Sequence, residues 1–193
     1  MASISLKYKS KSGNLTAPGD VDPGAMIPLA TTSLSTTAAS ITFSDIPQAY
    51  EHLQIRLFAR GSASNPAGGV WIQFNGDTTA SNYYSHYLQA DGSTVVSGPN
   101  GNLNVHYDIA GANTTASAFG VIIFDILDYA NTNKYTTIRS IGGVDGNGGG
   151  RVNMSSGLWK NTNAVLSVLL YPYSGSFVQY THAALYGIKK AGA

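Results

Sequence analysis

The sequence predicts an all-β protein: an antiparallel β-sandwich of the jelly-roll type, carrying an extended N-terminal arm. Composition and patterning predict it. Charged residues make up 11% of the 193 residues, against about 25% in an average chain. The chain has one glutamate, Glu51, so the usual helix-surface residues are scarce. Val, Ile, Thr and 12 Tyr supply strand formers instead. Finally, Leu53, Ile55, Leu57 and Ala59 alternate with His52, Gln54, Arg56 and Arg60, Phe58 being the exception. A period of two is the pattern of a half-buried strand, whose successive side chains point to opposite faces.

Taken in order, residues 1–40 read as an arm and lead-in, and residues 41–193 as the sandwich. In the arm, Lys7, Tyr8, Lys9 and Lys11 precede Ala17-Pro-Gly-Asp-Val-Asp-Pro-Gly24, which holds two Pro-Gly turns. There is too little apolar material there for a separate core. We read an arm ordered by contact with its own domain or a neighbour, with those four residues as candidate partner contacts. Met26 to Thr32 is a first short strand, 33–40 a Ser/Thr-rich connection, and Ile41 to Phe43 the next strand. A turn at Ile46-Pro47 leads into the alternating strand, which a loop at 61–69 ends.

Val70 to Phe74 follows as a strand stopped by the tight turn Asn75-Gly76. Asn82 to Leu88 is a tyrosine-rich element. Leu103 to Ile109 alternates cleanly, whereas Phe119 to Leu127 is nearly continuous apolar sequence, the expectation for a strand buried on both faces. Lys134–Val144, Arg151–Trp159, Ala164–Tyr171 and Gln179–Ile188 complete eight to ten short strands with regular turns, which implies a sandwich.

Composition removes several function classes. With no cysteine, thiolate metal sites, iron–sulfur clusters and cysteine nucleophiles are excluded. A net charge of +1 gives no general electrostatic grip on nucleic acid. No apolar run reaches the length of a membrane-spanning helix, so no membrane partner is expected. The N-terminus has no apolar core of signal-peptide length, and the sequons at Asn14, Asn113 and Asn153 therefore carry little weight.

The residues that bear chemistry form no constellation. His52, His86, His106 and His182 show no metal-ligand spacing. Asp125 and Asp128 have opposite parity in a regular strand, and Asp145 lies in a glycine loop where aspartate usually holds turn amides. Gly146-Asn-Gly-Gly-Gly150 lacks the Lys-Ser/Thr of a phosphate loop. We assign no catalytic, cofactor-binding or metal residue and expect no enzymatic activity. Trp71, Tyr83, Tyr84 and Tyr87 are candidates for core packing, for a subunit interface, where aromatics are enriched, or for a platform on which sugar rings stack.

Six motifs carry a resemblance. Ile46-Pro-Gln-Ala-Tyr-Glu-His-Leu-Gln-Ile-Arg56, Gln73-Phe-Asn-Gly-Asp77 and Tyr83-Tyr-Ser-His86 come first. Asp125-Ile-Leu-Asp-Tyr-Ala130, Gly157-Leu-Trp159 and Leu185-Tyr-Gly-Ile-Lys189 follow. In this order and spacing, over residues 40–189, the chain resembles a recurrent family of tailed-bacteriophage virion proteins. The resemblance implies a jelly-roll structural protein of the head or tail, without enzymatic activity. On that basis we expect a capsid cement or decoration protein on the virion surface, assembled in the host cytoplasm. It would act as a homotrimer whose arms grip the major capsid protein. The alternative is a tail- or fibre-associated module that binds host surface glycans through Trp71, Tyr83, Tyr84 and Tyr87.

Overall fold

A computed structural model of the protein describes residues 25–101 and 108–190. Among them are twelve strands and no α-helix: β1 Met26–Ser33, β2 Ile41–Phe43, β3 His52–Ala59, β4 Ala67–Phe74, β5 Tyr83–Ala90 and β6 Val95–Gly101, then β7 Asp108–Ala110, β8 Gly120–Leu127, β9 Thr136–Asp145, β10 Gly150–Trp159, β11 Val168–Pro172 and β12 His182–Ile188. They form an eight-stranded sheet, ordered β1-β12-β3-β8-β9-β10-β5-β6, and a four-stranded sheet, ordered β2-β11-β4-β7. Every pairing between these strands is antiparallel. The two sheets pack as the expected sandwich, jelly-roll-like in character.

The core lies where the inner faces meet. Leu53, Ile55, Leu57 and Ala59 of β3 are fully buried, as are Ile122, Phe124 and Ile126 of β8 and Val70, Ile72 and Phe74 of β4. Phe58, which breaks the parity of β3, turns outward and stacks on Phe119 at 4.9 Å. Asn75 and Gly76 end β4 with both residues at positive φ (53° and 68°), the conformation that an Asn-Gly turn supplies at least cost. The chain then crosses to the other sheet rather than closing a hairpin, since β4 and β5 lie in different sheets.

The tyrosine-rich element is a strand, and Val95–Gly101, a segment of Val, Ser, Gly and Pro without clear alternation, pairs with it at the sheet edge. A proline is tolerated there because one side of an edge strand has no ladder to complete. The lead-in also contributes to the sandwich: β1 pairs with β12 along its length, so the large sheet starts at Met26. The arm residues Lys7, Tyr8, Lys9 and Lys11 lie outside the described residues, as do His106 and most of the alternating segment from Leu103.

The strand read as buried on both faces is not. In β8 the even positions are buried, but Val121 is half exposed and Ile123, Asp125 and Leu127 are partly exposed. Continuous apolar sequence arises here because both faces of the strand are apolar while one sheet covers one of them.

Candidate interaction surfaces

The motif residues gather into two hydrogen-bonded hubs. In the first, the carboxylate of Asp77 accepts from Trp159 Nε1 at 2.8 Å, Asn82 Nδ2 at 2.8 Å and the Thr79 amide at 2.9 Å. The Tyr83 hydroxyl donates to the Asp77 carbonyl and accepts from the Phe74 amide, each at 3.0 Å. Burial alone raises the carboxyl pKa of Asp77, but the bonds from Asn82, Trp159 and Thr79 outweigh it and bring the pKa from 3.8 to about 2. Burial pushes the Tyr83 phenol upward. Beside the turn, Asn75 ties down 164–167, donating to the Ala164 carbonyl and accepting from the Leu166 and Ser167 amides.

The second hub joins the Ile46–Arg56, Asp125–Ala130 and Leu185–Lys189 motifs. The Tyr129 hydroxyl donates to the Pro47 carbonyl, and the Glu51 amide donates to Ile188 at 2.9 Å. The Tyr50 ring lies over Gly187 so closely that a Cβ there would come within 2.5 Å of it. These motifs are thus placed where they hold turns and strand ends together.

Glu51, His52 and Asp128 bring three potential ligand atoms within 4.8 Å of one another, all half-buried. The spacing along the chain gave no sign of this, because β3 and the end of β8 meet only in the sheet. Two of the three are already engaged. His52 Nδ1 accepts the Asp128 amide at 3.0 Å, and the Lys134 ammonium sits on the Asp128 carboxylate. A cation would have to displace both, so we assign no metal site. Asp125 is held by Gln54 at 2.9 Å and Arg139 at 3.2 Å, on the outer face of the large sheet. Asp145 caps its own glycine loop through the Asn147 amide at 2.8 Å.

The structure does not bring the four candidate aromatics into one platform. Tyr83 is buried in the first hub. Tyr84 and Tyr87 have opposite parity in β5: Tyr84 is exposed on the outer face, near His86, and Tyr87 packs inward beside Gly98. Trp71 belongs to the other sheet, half-buried on its outer face. There its neighbours are Tyr171, edge-on at 5.4 Å, and Tyr173, tilted 60° at 5.2 Å. Neither tyrosine stood out in the sequence, since each becomes Trp71's neighbour only through the β4–β11 register and the loop that follows. Tyr173 is 64% exposed, so this trio is a patch on the outer surface of the four-stranded sheet.

A larger surface lies on the opposite side. Residues directly across an antiparallel ladder share a face, and the register aligns two apolar rows on the outside of the large sheet. One row runs from Phe58 through Val121, Gly143 and Val152 to Ala90 and Val95. The second runs from Ile123 through Ile141 and Met154 to Leu88. Most of these large side chains are about half exposed, from Val96's neighbour Val95 at 70% to Phe58 at 47%. Beside them a polar row, Gln54–Asp125–Arg139, is internally bonded. Glycine at 143 leaves a groove of about 820 Å³ between Val121 and Val152, bordered by Ile141 and Phe119.

Among the described residues no helix is long and apolar enough to cross a membrane. Comparison of the chain with known protein families, with curated proteins and with solved structures returns no match.

Proposed function

We propose that this protein is a non-enzymatic structural component of a bacteriophage particle: a capsid cement or decoration protein that acts as a homotrimer on the major capsid protein. The observation that carries this reading is that both outer faces of the sandwich present apolar or aromatic surface. One is the double row on the large sheet, the other the Trp71–Tyr171–Tyr173 patch on the small one. A cement protein needs two such surfaces, one toward its own copies and one toward the shell. Side chains that carry the phage resemblance, such as Asp77, Tyr83, Trp159, Tyr50 and Tyr129, do framework work in the two hubs, as suits a family defined by architecture rather than by catalysis.

Low charge supports the same reading. Contacts built from apolar and neutral polar groups are little screened by salt, and three copies bound together hold a symmetric shell multivalently. The test is to locate the protein in purified particles by immuno-labelling and to compare particles lacking it for heat or osmotic stability. Absence from particles overturns the reading. Deletion of residues 1–24, which spares β1, is expected to leave a folded sandwich with reduced incorporation; full incorporation removes the arm's role. The glycan-binding alternative now rests on Trp71 and Tyr173, and glycan binding lost in Tyr173→Ala would favour it.

A further inference from the structure

We infer that the outer face of the large sheet, centred on Ile141, Val152 and Met154, is the surface through which the protein associates with a second copy of itself. The inference deepens the proposed function and rests on it only for what the assembly is for.

The first argument is the inversion of β10. Asn153 and Ser155 point inward and are 1% and 7% exposed, whereas Val152 and Met154 point outward and are 59% and 49% exposed. A solvent-facing strand places its apolar residues inward and its polar residues outward. Over residues 152–155 β10 does the reverse, the pattern of a strand whose outer face is covered, before Ser156 outward and Trp159 inward restore the ordinary order. Its neighbours agree: Ile141 of β9 lies opposite Met154, and Leu88 of β5 lies opposite Met154 on the other side.

Area and charge select the occupant. Seven large apolar side chains, each about half exposed, leave roughly 600 Å² of apolar surface, the top of the range for the largest patch on a monomer. With the polar row beside it, the face reaches the scale of about 800 Å² per partner that a stable interface uses. Beside the apolar rows Asp125 is held by Arg139 at 3.2 Å and Arg56 lies over the Tyr186 ring at 5.5 Å; Asp91 and Asp145, at the groove's far end, are bonded to turn amides. The two rows themselves carry no ionised side chain, so a second copy packs on them without burying a charge, whereas nucleic acid or an acidic partner would need cations there.

Shape points the same way. A well-packed contact needs projections that can enter recesses, and this face supplies both. Ile141 and Met154 project, and the groove over Gly143 lies one row away. Glycine is required at that recess, because a Cβ at 143 would stand 2.7 Å from the Arg151 carbonyl oxygen.

The test measures the mass of the full chain by sedimentation over a range of concentrations, beside Ile141→Lys, Met154→Lys and, on the opposite outer face, Tyr173→Lys. The wild type should sediment as a multiple of 20.2 kDa. Each of the first two variants should weaken association at least about tenfold, with an unchanged circular dichroism spectrum and melting temperature, and Tyr173→Lys should leave the mass unaltered. A monomeric wild type, or an oligomer indifferent to both large-sheet variants, overturns the inference. Measuring incorporation into particles separates the two claims. An oligomer absent from particles sinks the virion reading and leaves the interface standing. A monomeric wild type found in particles does the opposite.

Discussion

β3 and β10 belong to the same sheet and are turned inside out relative to each other. β3 buries Leu53, Ile55, Leu57 and Ala59 and presents His52, Gln54 and Arg56 outward. β10 buries Asn153 and Ser155 and presents Val152 and Met154 outward. β3 lies where the four-stranded sheet covers the large one with apolar side chains, so its pattern is satisfied within one chain. β10 lies beyond β8 and β9, toward the sheet's far edge. Its inner oxygens on Asn153 and Ser155, and those of Thr136 and Ser140 on β9, are buried and find no hydrogen-bond partner among the described residues. The difference teaches that alternation locates a strand but not its core side. One end of the sheet satisfies its pattern within the chain, and the other leaves apolar side chains on its outer face.

Truncation should separate the two strands most sharply. Leu57→Ala removes a fully buried side chain and is expected to cost about 2–5 kcal/mol in denaturant unfolding. Met154→Ser, at a half-exposed position, should cost under about 0.5 kcal/mol in the monomer. Equal losses at both positions would mean that β10 buries its outer face within the chain.

The Asp77 hub ties the inward end of β10 to the β4–β5 turn and offers the next largest effect. Its carboxyl pKa is depressed to about 2 in the folded protein. The stabilisation is therefore fully present above its unfolded value near 3.8 and is lost as pH falls through about 2. Unfolding free energy should decline by up to about 2 kcal/mol across that window. Asp77→Asn should flatten the decline there, and an unchanged acid profile in that variant would remove Asp77 as its source.

Arg60 gives a comparable mid-sized test on the β3 side. Its guanidinium donates to the carbonyls of Ala112, Thr114, Thr115 and Ala118 at 2.8–3.1 Å, holding the loop before β8. Arg60→Ala should cost about 2 kcal/mol, and Arg60→Lys should recover little, since a lysine ammonium cannot span four acceptors as a planar fork does. The smallest effect is expected at the polar inner end. Ser140→Ala and Ser155→Ala remove facing hydroxyls that have no partner among the described residues, so melting temperature should stay the same or rise slightly. A clear drop would show that these hydroxyls are satisfied in solution.

The element set was legible because period-two alternation, turn residues and the scarcity of helix formers are local properties. Met26–Ser33, His52–Ala59, Gly120–Leu127 and the strands after them follow from such patterns. β6 was not, since Val95-Val-Ser-Gly-Pro-Asn-Gly101 lacks alternation and is a strand only because β5 offers it an edge. The aromatic candidates divided for a related reason. Parity already separates Tyr84 from Tyr87, but which face meets the core depends on the opposing sheet. Trp71 finds Tyr171 and Tyr173 only through register.

By itself, then, the sequence determined the all-β class, the position of most strands and the absence of thiolate chemistry, because these depend on composition and on neighbours along the chain. Tertiary structure alone decided that β8 is covered on one face, that residues 152–155 of β10 are inverted, and that Glu51, His52 and Asp128 converge, the last two already bonded. It also assembled the apolar rows across six strands drawn from three separate stretches of the chain. The physical reason is that a strand's side chains alternate for local reasons, whereas their burial is fixed by what packs against each face.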